Sequence, residues 1–533
     1  MTEVGGWVEL GSPGGGSWDK NSRVVWVGRA TALVACSVPF LVAILAAGTS
    51  WLPVGDTAVL LLRSSDVLTS SSPSLGMPTS LSAVAGTQLY HPGPAEFWLL
   101  HSVSRLDWPV MVVTAVFNFG CILLACAAVR TLAGPRASLV AATCGTAMCA
   151  ALGGFVLVDP RNPYFATFSL TAFLAAASAT AAGHTRWLPV AIAFAAFAAQ
   201  SQISAAVVVG GATFGTVLAW LTFGRPRDAS TRWTLPFAGA LGVLLWWPVL
   251  WDQAAVGGNL GSLVRAGSAS GEHISVGMAR DSVAVGLSSW FGGADILRLV
   301  RRPPPTWTLV VGTFIVVALV VGLLIALRNR TATASGTVVV LGAGIAGSIA
   351  LSRLPDQMTS VLALTNYLWL WPVGAGAATI IIGWIVERSE SKAPVVGLAV
   401  VALIVGAFSA ASPTRPPHFS STGVVRDALT PLQEKLNDGD TYLFVLADEL
   451  ERFDIGAGLV RGLRLKGVDV VVPAAAKRSF GPIAVSPKDS IEGTLSVGLG
   501  RDQAPEGAEI AYGSKVGDTP FVVWLRPQSS ADR

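Results

Sequence analysis

Apolar runs about as long as a bilayer is thick recur along this chain, and no other feature limits its fold as strongly. A membrane-spanning helix needs roughly 20 predominantly apolar residues, and a 19-residue hydropathy window picks out such segments. The runs predict about eleven transmembrane helices, near 24–49, 108–129, 135–158, 164–182, 187–204, 205–224, 233–251, 306–327, 336–352, 359–386 and 393–412. The stretch 187–224 reads either as one broken span or as two. With 52% hydrophobic and 13% charged residues and a mean hydropathy of +0.60, the expected class is a polytopic α-helical membrane protein. A net charge of +4, not gathered into a basic stripe, argues against nucleic acid as a partner. Cys36, Cys121, Cys126, Cys144 and Cys149 all lie in apolar runs, where small buried side chains are expected rather than disulfides or metal ligands.

Orientation follows from lysine and arginine near the span ends. Lys20, Arg23 and Arg29 flank the first run, which is too long for the apolar core of a cleaved leader, so it reads as a retained anchor that starts in the cytoplasm. The cytoplasmic connections then carry Arg130 and Arg136, Arg186, Arg225 to Arg232, Arg328 and Arg330, and Arg388 with Lys392. The outer face receives a long loop at 50–107, a turn at 159–163, a segment at 252–305 and everything after 413. Arg298, Arg301 and Arg302 break the pattern. Long loops cross regardless of charge, and an interfacial helix at 282–300 presenting these arginines to a lipid phosphate is the functional alternative.

Three regions result: a cytoplasmic tail at 1–23, a membrane region at 24–412, and an extracytoplasmic soluble α/β domain at 413–533. In the last, Thr441–Ala447, Val468–Val472 and Phe521–Leu525 read as strands and Glu451–Lys466 as an amphipathic helix. It lacks a glycine-rich phosphate loop, a Ser-His-Asp order and metal-ligand spacing, which makes it a lid or a docking surface. The Gly- and Trp-containing first twenty residues read as a disordered tail.

The first outer loop is the largest polar island, with Asp56, Arg63, Asp66, His91, Glu96 and Arg105. It opens with Gly55-Asp56-Thr57-Ala58, continues as a short amphipathic helix over Asp56–Leu68, and later carries His91-Pro92-Gly93-Pro94. A multispanning chain with these features resembles the GT-C glycosyltransferases, and among them the mannosyl-, aminoarabinosyl- and arabinofuranosyltransferases of the actinomycete cell envelope. The resemblance covers the topology of the whole chain, with sequence-level matching in a few short segments. It implies sugar transfer from a polyprenyl-phosphate donor to a glycan or glycolipid acceptor outside the cytoplasmic membrane.

On that resemblance Asp56 matches the aspartate that follows the first membrane helix and serves as catalytic base. An acceptor hydroxyl must lose its proton as it attacks the anomeric carbon, and a carboxylate in hydrogen-bond reach removes it. The plainer role for Asp56 is a solvated or helix-capping carboxylate. The leaving polyprenyl phosphate calls for cations, and an arginine fork suits phosphate oxygens. Arg63, Arg105, Arg161, Arg301 and Arg302 are the outer-face candidates, each equally explicable as a surface arginine. Arg161 lies where the family places polar contacts beside the aspartate.

His91 and Glu96 flank the rigid turn, His91 as a partner for phosphate or hydroxyl and Glu96 more plainly as a structural residue. Gln200 and Gln202 resemble the family's Gln-x-His pattern with glutamine in place of histidine, which removes proton transfer there and leaves hydrogen bonding to a sugar. Asn366 and Tyr367 stand where such enzymes carry a polar and aromatic patch, although helix-to-helix hydrogen bonding is the plainer role. Asp66 reads as the solvent-facing side of the loop helix. Without clustered carboxylates, neither a metal nor another cofactor is expected. The rival class, a transporter or flippase of lipid-linked precursors, would show internal repeats and ionisable groups deep in the spans. The sequence has neither a convincing repeat nor many such groups.

Overall fold

A computed structural model describes residues 20–48, 51–224, 231–268, 277, 306–329, 332–353, 366–411, 419–437, 439–446, 450–484, 491–499, 504–516 and 519–528. The membrane region begins with α1 (Lys20–Ala47) and returns after the first loop as α5 (Trp108–Leu152). Between them lie α2 (Gly55–Ser65), α3 (Leu81–Ala85) and α4 (Ala95–Leu100). Then come α6 (Gly154–Val158), α7 (Asn162–Ala181), α8 (Leu188–Ser201), α9 (Ile203–Phe223), α10 (Thr231–Trp251) and α11 (Asn259–Ser268). The later apolar helices are α12 (Thr306–Asn329), α13 (Ala332–Ser352), α14 (Leu370–Arg388) and α15 (Ala393–Ala411).

Among the described residues, seven helices are long and apolar enough to cross a bilayer, and α12 and α15 are further apolar helices at the expected spans 306–327 and 393–412. Two local features, at Gly134 and at Gln202, account for the remaining difference from about eleven spans. The expected spans 108–129 and 135–158 form the two arms of α5, bent at Gly134, whose φ of 90° and ψ of −178° break the helix directly before Pro135. The 187–224 stretch is broken, because Gln202 is extended (φ −146°, ψ 127°) and leaves α8 only 14 residues long. The start of the expected 359–386 span and the interfacial helix at 282–300 lie outside the described residues, as do Arg298, Arg301 and Arg302.

The bundle packs through small residues. Gly211 and Gly342 face each other across α9 and α13 so closely that an added methyl on either would meet the other's carbonyl. Close approach of this kind drives helix pairing in lipid, where tails and leucine are equally apolar. The central α7 is almost wholly buried, with Phe165, Phe168 and Leu170 at 0% exposure. By contrast α10 turns Trp233, Phe237, Leu244 and Trp247 outward, as a lipid-facing helix does.

After α16 (Phe419–Lys435) comes a mixed five-stranded sheet: β1 (Thr441–Val445), β2 (Asp469–Val471), β3 (Gly493–Leu499), β4 (Glu509–Val516) and β5 (Thr519–Pro527), in the order β2-β1-β3-β5-β4. The strand β1 pairs in parallel with β2 and β3, whereas β5 is antiparallel to β3 and β4. Strands β3 and β4 were not expected from the sequence. The crossover from β1 to β2 is α17 (Leu450–Leu465), matching the expected amphipathic helix. One face of α17 lies on Phe444 of β1, and Gly458 and Gly462 on its other side admit Val425 and Leu429 of α16.

Helix α17 also packs directly on α2, and this contact positions the site. Gly458 abuts Pro53 and Val54, Thr422 donates to the Leu52 carbonyl at 3.2 Å, and Arg461 pairs with Asp107 at 2.5 Å while donating to the Ser104 and Leu106 carbonyls at 3.1 Å each. The domain is thus docked on both ends of the loop that joins α1 to α5. This docking corrects the reading of Asp66, which is not on a solvent-facing side. It pairs with Arg63 and both are packed against Gly481 of the soluble domain, so their side chains are only 15% and 11% exposed.

Candidate active site

Asp56 lies in the first turn of α2, and the chain reaches it through Gly55 at φ +52°, a left-handed conformation that glycine adopts without a Cβ clash. Glycine is also required by space, since a Cβ there would run into the Asp454 carboxylate of α17. Asp56 is exposed while Thr57, Ala58, Val59, Leu60 and Leu61 beyond it are buried. The amphipathic helix is therefore packed between α4 and α17 of the C-terminal domain and holds this one carboxylate at its open end. The cap position itself is Val54, so Asp56, also weighed as a helix cap, stands one residue inside the helix.

The Asp159-Pro160-Arg161-Asn162-Pro163 turn supplies the opposing charge. Asp159, 2% exposed, accepts from the Arg161 backbone N–H at 3.0 Å and from its Nε at 2.7 Å, while Arg161 Nη2 donates to the Tyr164 hydroxyl at 3.2 Å. The guanidinium also sits 5.3 Å from the Phe155 ring centroid and 5.2 Å from that of Tyr164. Burial works against the Arg161 charge, but Asp159 and Tyr164, with Asp56 adding, outweigh it and raise the pKa further. Asp56 is thus near enough for its charge to act on Arg161. It also acts on Glu96, so the two sequence-distant loops meet at one place.

Beneath this pair is a buried polar layer. Glu96 is 0% exposed, and burial pushes its carboxyl well above the ordinary range, assisted by Asp56 and opposed by a hydrogen bond with the Met77 backbone. His91 is 5% exposed, and burial lowers its pKa to about 3, so at neutral pH it carries no charge to offer a phosphate. Its backbone is fixed on both sides, N–H to Met77 O at 2.8 Å and C=O from Gly76 N at 3.0 Å. The His91-Pro92-Gly93-Pro94 turn is pressed against Gln200: Gly93 N donates to Gln200 O at 3.4 Å, and any Cβ on Gly93 would strike the Gln200 amide. Gln200 itself donates to Leu245 O at 2.8 Å. The His91 Nδ1, Gln200 Oε1 and Ser201 Oγ have no hydrogen-bond partner inside the protein. Orphaned buried acceptors are costly, and a concentration of them marks a place built for something besides packing.

Gln202, at the break between α8 and α9, accepts from Asn162 Nδ2 at 3.1 Å, and the same amide donates to Ser201 O at 2.9 Å. It therefore holds the start of α7, directly after Arg161. Tyr367 and Asn366 are buried at the start of α14, beside Trp369, which packs onto Gly347 of α13. Arg63 is tied to Asp66 and Arg105 is exposed, whereas Arg161 lies within reach of the Asp56 charge. Arg301 and Arg302 lie outside the described residues.

Several residues of the site were not singled out by sequence. Asp159 was seen only as part of a turn, although Asp-Pro-Arg ahead of an Asn-Pro helix start was signal for a fixed ion pair. Asn259 clamps the loop by accepting from Tyr90 N and donating to Tyr90 O, both at 3.0 Å, and Asp252 in turn accepts from the Asn259 N–H at 3.1 Å. No local pattern announces a contact 169 residues away. Among the described residues, no three His, Cys, Asp or Glu side chains gather as a metal site.

No family model and no curated protein matches this sequence. Among solved structures, the chain is similar to the oligosaccharyltransferase of Archaeoglobus fulgidus in its apo form, at 13% identity and a TM-score of 0.47 over 90% of this chain and 70% of that one. It is also similar to ArnT from Cupriavidus metallidurans, both apo (12% identity, TM-score 0.45, 94% of this chain and 98% of that one) and bound to undecaprenyl phosphate (14%, 0.44, 95% and 98%).

Proposed function

We propose that this chain is a membrane glycosyltransferase of GT-C type, transferring a sugar with inversion from a polyprenyl-phosphate donor to a glycan or glycolipid acceptor of the cell envelope. The observation that carries the reading is the meeting of an exposed aspartate with an arginine held charged by its own buried carboxylate, at one end of a lipid-embedded bundle. In this reading Asp56 takes the proton of the acceptor hydroxyl as its oxygen bonds to the anomeric carbon, and the carbon–oxygen bond to the phosphate breaks. The electron pair leaves with the polyprenyl phosphate, whose growing charge Arg161 neutralises. Asp159 fixes the guanidinium and Gln202, through Asn162, fixes the turn that bears it.

Gln200, His91 and Glu96 are proposed as neutral hydrogen-bonding groups toward sugar or acceptor, Glu96 as its protonated acid. Tyr367 is proposed to lie along the donor. We further propose that the protein sits in the cytoplasmic membrane with its N-terminus inside and the soluble domain outside, which the distribution of lysine and arginine supports, and that the transfer needs no metal.

The test is to reconstitute the purified chain in nanodiscs with synthetic polyprenyl-phosphate mannose, arabinofuranose or aminoarabinose and envelope glycan acceptors, with and without EDTA. The reading requires a product whose anomeric configuration is opposite to the donor's and a rate that EDTA leaves unchanged. Retention of configuration refutes the single displacement. Movement of labelled donor across vesicles without sugar transfer would establish a transporter instead.

A further inference from the structure

The end of the bundle away from Asp56 holds a second feature that the proposed reaction does not use. The two arms of α5 splay from the kink at Gly134, and small side chains on the facing helices leave a cavity of about 240 Å³ among α5, α7, α13 and α14. Its walls are apolar, including Ile122, Ala141, Leu174, Ala175, Val340 and Ala375, and polar groups concentrate toward Thr333, Glu387 and Arg388. The Arg388 guanidinium is held 4.2 Å from the Trp384 ring centroid, and Arg136 donates to Ser389 O at 2.6 Å, so the kink and the end of α14 share one rim. In the segments that form it, 130–136 and 387–392, the cations Arg130, Arg136, Arg388 and Lys392 outnumber the carboxylates Glu387 and Glu390.

An apolar void of this size, inside a bilayer, is not in equilibrium with water but with lipid tails. Taking about 30 Å³ per small group, it has room for roughly eight methylenes, and filling it restores dispersion contacts that an empty wall lacks. Lipid tails alone confer no preference for this slot over the bilayer, because both are apolar. Selectivity must come from the rim, where a surplus of guanidinium and ammonium groups favours an anionic headgroup by roughly fivefold for each cation near the surface.

We propose that this slot holds one acyl chain of an anionic glycerophospholipid, with its phosphate resting among Arg136, Arg388 and Lys392. The cation–π contact at Trp384 pre-positions Arg388, and the kink at Gly134 keeps the two arms apart. This lipid is distinct from any sugar donor, and its binding is independent of the reaction proposed above.

The test uses the purified full chain in nanodiscs of equal phosphatidylglycerol and phosphatidylcholine, followed by native mass spectrometry. In parallel, phosphatidylglycerol carrying a diazirine on its acyl chain is photolysed and the adducts are mapped. One phosphatidylglycerol retained per chain is expected, with adducts on residues such as Leu174 and Val340. Ala141→Leu with Ala175→Leu, which fills the slot, should lower retention at least tenfold. Arg388→Gln, an exposed substitution that leaves the helix core intact, should lower the preference for phosphatidylglycerol over phosphatidylcholine about fivefold. Equal retention of the two lipids by the wild type, adducts confined to outward residues such as Phe214 and Leu244, or undiminished binding by the filled variant would each overturn the proposal.

Discussion

Replacing Arg461 with methionine should loosen the loop between α1 and α5 that carries Asp56 without unfolding the membrane bundle. Arg461 is 3% exposed and satisfies three acceptors at once: the Asp107 carboxylate and the carbonyls of Ser104 and Leu106. Burial lowers the pKa of its guanidinium and Asp107 opposes that shift, so the charge is tolerated only with its partners in place. Removing one member of a buried ion pair costs about 3–5 kcal/mol. Asp107 is 34% exposed and can recover water, which brings the expected cost down to about 2–3 kcal/mol. Because α17 rests on α2, that cost falls on docking of the soluble domain, and about 2.8 kcal/mol corresponds to a roughly hundredfold shift toward the undocked form. Hydrogen exchange resolved over Leu52–Ser65 should then lose protection by about two orders of magnitude in Arg461→Met, while α7 exchanges as in the wild type. Asp107→Asn keeps the shape and removes only the charge, so a change of about tenfold or less is expected, with the double variant less than additive. Protection within twofold of the wild type in Arg461→Met would refute the docking argument.

Arg161→Gln should raise the donor KM and cut turnover more than tenfold, and Arg161→Lys should restore only part of both, because an ammonium lacks the paired donors of the fork. Steady-state kinetics with a polyprenyl-phosphate sugar checks this. The two buried titratable groups predict opposite pH limits. Glu96 has a folded pKa above its ordinary 4.5, so its favourable contribution is lost as pH rises beyond 4.5 toward the folded value, and Glu96→Gln should flatten that loss. His91 has a folded pKa of about 3 against 6.5, so stability falls as pH drops from 6.5 toward 3, and His91→Gln should remove that part of the acid sensitivity in thermal melts across pH. Gly93→Ala should destabilise the turn by displacing Gln200, giving a lower melting temperature and a weaker acceptor KM.

What the sequence announced and what it hid divide along one physical line. Span positions, the α2 helix and the Asp56 and Arg161 turns were legible because hydropathy and helix signals act within about 20 residues. Contacts between segments that meet only after folding were not. The Arg461–Asp107 pair is 354 residues apart, and it docks the domain, expected as a lid or a docking surface, against the loop between α1 and α5. The same docking buried Asp66 against Arg63, although the local amphipathic pattern had put it toward solvent. Gln200 and Gln202 were picked out by resemblance to a Gln-x-His pattern, but their separate tasks depend on Leu245, Gly93 and Asn162 arriving from elsewhere. Strands β3 and β4 went unseen because each pairs with β5, whose own signal was short and late.

The central claim, that Asp56 removes the acceptor proton opposite a charged Arg161, is tested most directly by single-turnover transfer from a synthetic polyprenyl-phosphate sugar in wild type and Asp56→Asn. Asparagine keeps size and hydrogen bonding and loses the base. The account predicts a loss of about 10²–10⁴-fold in the rate of the chemical step with donor affinity little changed. Transfer by Asp56→Asn at the wild-type rate would contradict it.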